Sequence, residues 1–247
     1  MSRGTILFLD DDRDLQKLVS VCLRGKGYEV EPALDVKQAR TLLSGIRVHA
    51  AIVDGLLPGM TGTDFIQELR QQYPALPILF ASAFWKDLES HEQLTRELKV
   101  SRVLHKPYAP QDLLDWVEQV LAVRPPPPEA PAQGTSADDD LDATFRALCA
   151  RYRAGLGEKA RALTAAMERA RAGSAEALED AYELAHKLAG TAGSYGFGAV
   201  SVAARTLEVE LKRAWDGKAA ADWKALEAAQ HALVTETTHS STRPLEP

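Results

Sequence analysis

The stretch TILFLDDDRDL, residues 5–15, joins an apolar run to a row of aspartates. After its first residue the run TILFL is continuously apolar, whereas a strand with one face in water would alternate apolar and polar residues. Continuous runs of this length are typical of strands that are buried on both faces of a parallel sheet. The stretch therefore predicts a buried β-strand over residues 5–9, directly before Asp10.

Four further segments in the first half of the chain predict strands of the same sheet. They are YEVEPA at residues 28–33, AAIV at 50–53, ILFA at 78–81 and RVLH at 102–105. Apolar residues from Leu15 to Cys22 follow the i, i+3, i+4, i+7 pattern of a helix, which two glycines then end. More helices are predicted over residues 35–44, 62–72, 87–98 and 110–122. Strands that alternate with helices predict an α/β doubly wound fold with a five-stranded parallel sheet.

Reactive side chains follow these strands at the points where the strands end. They are Asp10 and Asp11 after the first strand, Asp54 after the third, Ser82 at the end of the fourth and Lys106 just past the fifth. In open parallel sheets, ligands bind outside the carboxyl ends of the strands, next to the topological switch point. The sequence therefore predicts that three carboxylates, a hydroxyl and an ammonium group meet at one crevice.

Such a cluster indicates phosphoryl chemistry that uses a metal ion. Neighbouring carboxylates are costly unless a cation neutralises them, and oxygen ligands with an open position suit Mg²⁺. We expect Asp10, Asp11 and Asp54 to bind this ion. The remaining oxygen of Asp54 can then attack a phosphorus atom, while Lys106 and the Ser82 hydroxyl hold the phosphoryl oxygens. The alternative is that the aspartates only form an acidic helix N-terminus, where the helix dipole favours them.

Three motifs at these positions resemble the receiver domain of bacterial two-component response regulators. They are LDDDRDL at residues 9–15, LPGMTG at 57–62 and HKP at 105–107, and the resemblance covers residues 4–122. It implies a flavodoxin-like fold in which Asp54 is the phosphoacceptor. The other roles that it implies are an acidic Mg²⁺ site at Asp10 and Asp11, a further ligand at the Leu56 backbone carbonyl, a switch hydroxyl at Ser82 and a phosphate-pairing lysine at Lys106.

Two positions depart from the receiver pattern. Receivers that drive an output usually carry an aromatic residue three positions before the lysine, which rotates inward on phosphorylation, but this chain has Val103 there. We therefore expect a weak conformational switch. Leu56, two positions beyond the acceptor, places an apolar side chain at the mouth of the site, where the family often varies.

The stretch RPPPPEAPAQGTSADDD, residues 124–140, divides the chain near its middle. It has no hydrophobic periodicity, which is typical of a linker that is stiff at the proline run and flexible after it. We predict a first domain over residues 1–123, a linker over 124–137, a second domain over 138–238 and a flexible tail over 239–247.

Beyond the linker, apolar residues recur only at helical spacing, and they predict five helices. Four apolar stripes are formed by Leu141, Phe145, Leu148 and Tyr152, by Leu156, Ala160, Leu163 and Met167, by Val200, Ala203, Leu207, Leu211 and Ala214, and by Trp223, Leu226 and Leu233. The remaining helix, third along the chain, runs from about Ser174 past Gly190. The second domain is therefore predicted to be an all-α antiparallel helical bundle.

The stretch AHKLAGTAGSYGFG, residues 185–198, places His186 on the third of these helices. At about 100° per residue, the apolar side chains cluster on one side of this helix, while His186, Lys187 and Gly190 lie on the flank and the opposite face. The sequence thus predicts that His186 faces solvent and that Gly190, one turn along, clears space for another protein. The alternative is a surface histidine without a function.

Continued to residue 208, this stretch resembles the histidine-containing phosphotransfer (Hpt) domain, over roughly residues 138–238. The resemblance implies that His186 is a phosphoacceptor and that Gly190 is the small residue of the motif. Many such domains carry a lysine three residues after the histidine that can contact the phosphoryl group, but this chain has Ala189 there. Lys187 is adjacent to His186 but points about 100° away around the helix.

Composition limits the other classes of protein. The chain has 247 residues, enough for two domains, and its net charge of -6 argues against a nucleic-acid-binding face. Cys22 and Cys149 are far apart and form neither a disulfide framework nor a zinc motif. The sequence has no secretory signal and no apolar stretch of about 20 residues, so we expect a cytoplasmic protein without membrane insertion.

Together the two halves predict a phosphorelay protein that accepts a phosphoryl group on Asp54 and carries or exchanges one on His186. It would be a phosphotransfer intermediate with a self-phosphorylating receiver and no kinase domain of its own. The expected partners are a sensor histidine kinase and a separate response-regulator receiver that docks at His186 and Gly190. One alternative is a helical docking module that regulates a kinase without transferring phosphate. A DNA-binding transcription regulator is the other, and the lack of a basic second half disfavours it.

Overall fold

The structure is a computed structural model, and it describes residues 2–83, 93–122, 136–215 and 222–242. The chain divides into two compact units, Met1–Arg146 and Ala147–Pro247. Three predicted segments lie partly outside the described residues: the helix at 87–98, the linker at 124–137 and the tail at 239–247.

A five-stranded parallel sheet forms the centre of the first unit. Its strands are β1 (Thr5–Leu9), β2 (Glu29–Ala33), β3 (Ala50–Asp54), β4 (Ile78–Ser82) and β5 (Arg102–His105), in the spatial order β2-β1-β3-β4-β5. All residues of β3 and β4 are buried, which is why these segments read as continuous apolar runs. The predicted α/β doubly wound fold is confirmed.

Four α-helices of the first unit are described. They are α1 (Arg13–Gly25), α2 (Val36–Gly45), α3 (Gly62–Gln72) and α4 (Pro110–Leu121). Asp12 begins α1, because its carboxylate accepts hydrogen bonds from the backbone N–H groups of Asp14 and Leu15. A short antiparallel hairpin, Leu56–Leu57 with Met60–Thr61, lies between β3 and α3. Within the helix predicted at 87–98, the described residues form a π-helical turn, Gln93–Glu97.

The strand register aligns the carboxyl ends of four strands. Leu9 of β1 pairs with Val53 of β3, so Asp10, the residue after Leu9, lies beside Asp54. At the next strands Ser82 pairs with His105, which brings Lys106 to the same edge. The polar residues that follow the strands therefore converge because of sheet topology.

Four helices are described in the C-terminal part of the chain. They are α5 (Ser136–Arg171), α6 (Ala175–Thr191), α7 (Gly198–Trp215) and α8 (Trp223–Thr242). The all-α architecture is confirmed, but the prediction of five helices is wrong. The first two predicted helices form the single helix α5, because the four-residue step from Tyr152 to Leu156 continues one apolar stripe. α8 continues through Thr242, so residues 239–242 of the predicted tail are helical.

An aromatic stack holds the turn that follows α6. A 3-10 turn, Gly193–Tyr195, ends at Gly196, whose φ of 87° is a conformation that favours glycine. The ring of Tyr195 stacks on Tyr152 of α5 with ring centroids 4.2 Å apart, and the Phe197 ring lies 6.0 Å from Tyr152. This turn reverses the chain so that α7 packs on α6.

Candidate functional site

Three carboxylates gather at the carboxyl edge of the sheet. One oxygen atom from each of Asp10, Asp11 and Asp54 lies within 4.8 Å of the other two. Asp10 and Asp54 are buried, and Asp11 is half-buried. The structure thus brings these residues together as predicted, and their hard oxygen donors fit a divalent cation such as Mg²⁺.

The ammonium group of Lys106 lies between two of these carboxylates. Its Nζ donates a hydrogen bond to Asp10 Oδ2 at 2.7 Å and lies 3.0 Å from Asp54 Oδ1. The Lys106 side chain is only 4% exposed, so both ion pairs are shielded from water and are stronger than surface pairs. A cation is therefore fixed directly beside the Asp54 carboxylate.

The pKa values of Asp10 and Lys106 indicate that the cluster carries more negative than positive charge. Burial raises the pKa of Asp10 from its ordinary value of 3.8 to about 7; Lys106 opposes this shift, while Asp54 and Asp12 add to it. Burial alone would lower the pKa of Lys106, but the Asp10 and Asp54 carboxylates outweigh it and raise that pKa well above its usual value. A bound divalent cation would offset the excess negative charge.

Hydrogen bonds hold the start of α1 against the cluster. The backbone N–H of Asp12 donates to Asp10 Oδ1 at 2.9 Å. The side-chain amide of Gln16 donates to the backbone carbonyls of Asp10 and Ala33, at 2.9 and 2.7 Å. Sequence reasoning missed Gln16, because a lone polar residue beside an apolar helix stripe does not reveal which backbone groups it meets.

Two glycines allow the chain to pass close to Asp54. A Cβ atom on Gly62 would lie 2.0 Å from the Asp54 carbonyl oxygen, and one on Gly55 would lie 2.7 Å from Ser82 Oγ. The Gly62 N–H also donates to the Gly55 carbonyl at 3.1 Å. The LPGMTG motif contained Gly62, but the close approach depends on how the hairpin folds back onto β3.

Three other residues of this unit were singled out by the sequence, and two of them, Ser82 and Leu56, lie near the same edge. Ser82 is buried at the end of β4, the strand next to the one that carries Asp54. Leu56 is half-buried in the hairpin that follows Asp54. Val103 packs against the core, where it takes up less room than an aromatic ring would. The roles of the Ser82 hydroxyl and the Leu56 carbonyl stay predictions.

His186 lies in the second unit, where it is buried at 5% exposure instead of facing solvent. Its Nδ1 lies 2.5 Å from Glu208 Oε1 on α7, within hydrogen-bonding distance. The predicted solvent-facing orientation is therefore wrong. The buried side of α6 also includes Tyr182 and Ala189, so the buried arc is wider than the apolar stripe suggested. Glu208 favours burial of the ring because it pairs with one of the two ring nitrogens, Nδ1.

Glu208 connects His186 to a positive charge. This carboxylate is fully buried, and its second oxygen, Oε2, lies 3.0 Å from Arg205 Nη1. The Tyr182 ring lies 6.2 Å from the imidazole, and Lys212 Nζ lies 5.4 Å from the centre of the Tyr182 ring. Sequence reasoning missed Glu208, whose only signal was an acidic residue next to Leu207 in an apolar stripe, 22 residues beyond the histidine.

Gly190 and Ala189 are buried as well. The Ser201 hydroxyl of α7 donates to the Ala189 carbonyl at 2.5 Å, so α7 covers this side of α6. The prediction that Gly190 clears an exposed surface beside the histidine is therefore wrong in its geometry. Lys187, next to His186 in sequence, is half-buried.

Two protein families match the chain. The family model of the response regulator receiver domain matches residues 6–118, and that of the Hpt domain matches residues 148–238. Among the described residues, none of the helices combines the length and apolar character that a membrane crossing requires.

Individual relatives each match about half of the chain. Protein PetR of Rhodobacter capsulatus is 32% identical over 116 residues, which is 47% of this chain and 48% of PetR. Response regulator MprA of Mycobacterium sp. (strain KMS) is 32% identical over 143 residues, 57% of this chain and 61% of MprA. The chain thus spans about half to three fifths of the length of these relatives. A solved structure of chemotaxis protein CheY4 from Vibrio cholerae is 31% identical, covers 47% of this chain and 98% of its own, and has a TM-score of 0.44.

Proposed function

Because the receiver-domain model matches residues 6–118 and the Hpt-domain model matches residues 148–238, we propose that this chain is a two-component phosphorelay protein that accepts a phosphoryl group on Asp54 and carries or exchanges one on His186. The observation that carries the proposal is the buried Asp54 carboxylate with Lys106 Nζ 3.0 Å away. A nucleophile and a cation lie side by side there, in a setting where electrostatic stabilisation of a phosphoryl group is strong.

At the receiver site, an oxygen of Asp54 attacks the phosphorus of a donor phosphohistidine. The new O–P bond forms as the N–P bond of the donor breaks, and the donor nitrogen leaves with the electron pair. Lys106 keeps its protons and donates a hydrogen bond to a phosphoryl oxygen, which reduces the charge that develops during transfer. The Ser82 hydroxyl, on the neighbouring strand, donates to another phosphoryl oxygen.

The residues of the acidic cluster fit Mg²⁺. Asp10, Asp11 and Asp54 would hold the ion together with the Leu56 carbonyl, and the raised pKa of Asp10 supports a need for added positive charge there. When bound, Mg²⁺ would offset the repulsion between the carboxylates and the incoming phosphoryl oxygens.

At the helical site, Glu208 selects the nitrogen of His186 that reacts. A carboxylate only accepts hydrogen bonds, so Nδ1 carries the proton and Nε2 keeps its lone pair. Nε2 attacks the phosphorus of an aspartyl phosphate, the N–P bond forms, and the O–P bond breaks with its electron pair returning to the carboxylate. Glu208 stabilises the positive charge that develops on the imidazole, as the carboxylate of a catalytic triad does.

The partners follow from this chemistry. We expect the phosphoryl group to come from a sensor histidine kinase, and a separate receiver domain to exchange phosphate with His186. The burial of His186 means that a receiver must approach the edge of the ring that carries Nε2.

Labelling with acetyl phosphate tests the receiver half. The H186Q chain should take up phosphate on Asp54 in Mg²⁺ but not in excess chelator, and the bond should be labile to hydroxylamine, as acyl phosphates are. The matched control is D54N in the same background. Label that persists in D54N/H186Q, or that forms equally well in chelator, would falsify this assignment.

Transfer between two full-length variants tests the helical half. H186Q phosphorylated on Asp54 is mixed with D54N, which can accept phosphate only at His186. We expect acid-labile, base-stable label on D54N and none on D54N/H186Q.

A second candidate function is a docking module that regulates a kinase without transferring phosphate, and the 5% exposure of His186 favours it. It predicts that D54N stays unlabelled at every donor concentration. It also predicts that phosphorylation of Asp54 changes the activity of a bound kinase.

A further inference from the structure

The carboxylate of Glu208 is a buried negative charge directly behind the proposed phosphoacceptor. Glu208 is fully buried, one oxygen lies 2.5 Å from His186 Nδ1, and the other lies 3.0 Å from Arg205 Nη1. Arg205 precedes Glu208 by one helical turn on α7, and its side chain is 22% exposed. The side chains of His186, Glu208 and Arg205 thus form a continuous row that ends in the positive charge of the partly exposed Arg205.

This row sets an electrostatic problem for phosphotransfer. A phosphoryl group on Nε2 brings additional negative charge to the other side of the same ring, and in a buried setting the Glu208 carboxylate repels it over that short distance. Yet Glu208 is needed to keep the proton on Nδ1. A fixed cation on the far oxygen of Glu208 resolves the conflict, because it lowers the net charge behind the ring without disturbing the hydrogen bond to His186.

We propose that Arg205 is a positioning residue that offsets the charge of Glu208, so that His186 can accept a phosphoryl group. The inference rests on the proposed function of His186. Since the position three residues after the histidine is the buried Ala189, α6 offers no lysine there, and the charge that favours transfer comes from α7.

Other charged and titratable groups surround this row. On α6 the Tyr182 ring stacks near the imidazole, and on α7 the ammonium of Lys212 lies over that ring. Arg213, also on α7, pairs with Glu210, and its side chain is 65% exposed. Removal of the Arg213 charge therefore provides a matched control: the same helix loses one positive charge, but the pair of His186 with Glu208 is left intact.

A double-mutant cycle tests the proposal. Full-length D54N chains that carry R205M, R205K, E208Q, R205M/E208Q or R213M receive phosphate from phosphorylated H186Q, and the initial rate of labelling at His186 is measured. We expect R205M to slow labelling by at least about tenfold, R205K to keep most of the rate and R213M to leave it unchanged. In the E208Q background, R205M should have little further effect, because no carboxylate is left to offset.

The cycle separates charge balance from a purely structural role. If Arg205 only stabilised the fold, R205M would lower the rate by the same factor whether or not the chain also carried E208Q, and that result would overturn the proposal. Equal rates for R205M and R213M would also overturn it. Far-ultraviolet circular dichroism and thermal unfolding of each variant show whether the helices remain folded, and R205Q replaces R205M if that variant unfolds. If the D54N parent itself takes no label, the proposed function fails, and this inference fails with it.

Discussion

Replacement of Asp10 by asparagine should stabilise the metal-free receiver at high pH. Asp10 is buried, and its pKa is raised from 3.8 to about 7, first because burial removes it from water and then because Asp54 and Asp12 are close. Between these two pH values the folded chain holds a proton on Asp10 that the unfolded chain has released. The stability that this group contributes is therefore complete below about pH 4 and is lost as the pH rises through 7.

The magnitude follows from the pKa difference. The interval from 3.8 to about 7 spans about three pH units, and at about 1.4 kcal/mol per unit it corresponds to roughly 4 kcal/mol. This is an upper bound for the net stabilisation of D10N over the wild type at high pH, because D10N also weakens the hydrogen bond from Lys106. That loss applies at every pH and shifts the whole stability curve without changing its slope.

Urea unfolding in chelator at several pH values provides the assay, followed through backbone NMR signals of β1 and β3, which report on the receiver alone. The free energy of unfolding of D10N minus that of the wild type should grow from pH 4 to pH 8. Saturating Mg²⁺ at pH 8 should stabilise the wild type and not D10N. The exposed carboxylate of Asp115 supplies a control variant, D115N, whose curve should run parallel to that of the wild type. Parallel curves for D10N and the wild type would refute the reasoning.

Two further variants test how the receiver is built. G62A should lower the free energy of unfolding by more than about 2 kcal/mol, because its methyl group would lie 2.0 Å from the Asp54 carbonyl oxygen. The control G45A should be neutral or stabilising, because a Cβ atom there would have no atom within 4 Å. Equal stabilities of the two variants would contradict the close contact. R70M should lower the free energy of unfolding by about 2 kcal/mol or more, since the Arg70 guanidinium donates to four backbone carbonyls. R40M breaks only an exposed ion pair and should change the free energy of unfolding by less than about 1 kcal/mol in the same urea assay.

The strands of the receiver were predictable because burial on both faces leaves a local signal. The runs at residues 5–9 and 102–105 match β1 and β5 residue for residue. The convergence of Asp10, Asp54 and Lys106 was also predictable, since parallel strands all end at one edge. The sequence did not predict the ion pairs among these residues, the raised pKa of Asp10 or the contact of Gly62 with Asp54. Each depends on distances between segments far apart in the chain.

The helical half shows where periodicity fails. Apolar spacing located α6 and α7 well, but it placed His186 on the wrong face, since Tyr182 and Ala189 widen the buried arc. A helical pattern also cannot tell where a helix stops if no residue breaks it. The two predicted helices before residue 171 are therefore the single helix α5.

By itself, the sequence determined the α/β sheet, the helical second half, the acidic cluster and the histidine, because each is encoded in neighbouring residues or in their spacing. Only the tertiary structure decided what surrounds the two proposed phosphoacceptors. The packing of α7 on α6 brings Glu208 to His186, and the strand register brings Lys106 to Asp54. These contacts join residues that are distant in sequence, and the energy of a buried charge depends on which partner packing sets beside it.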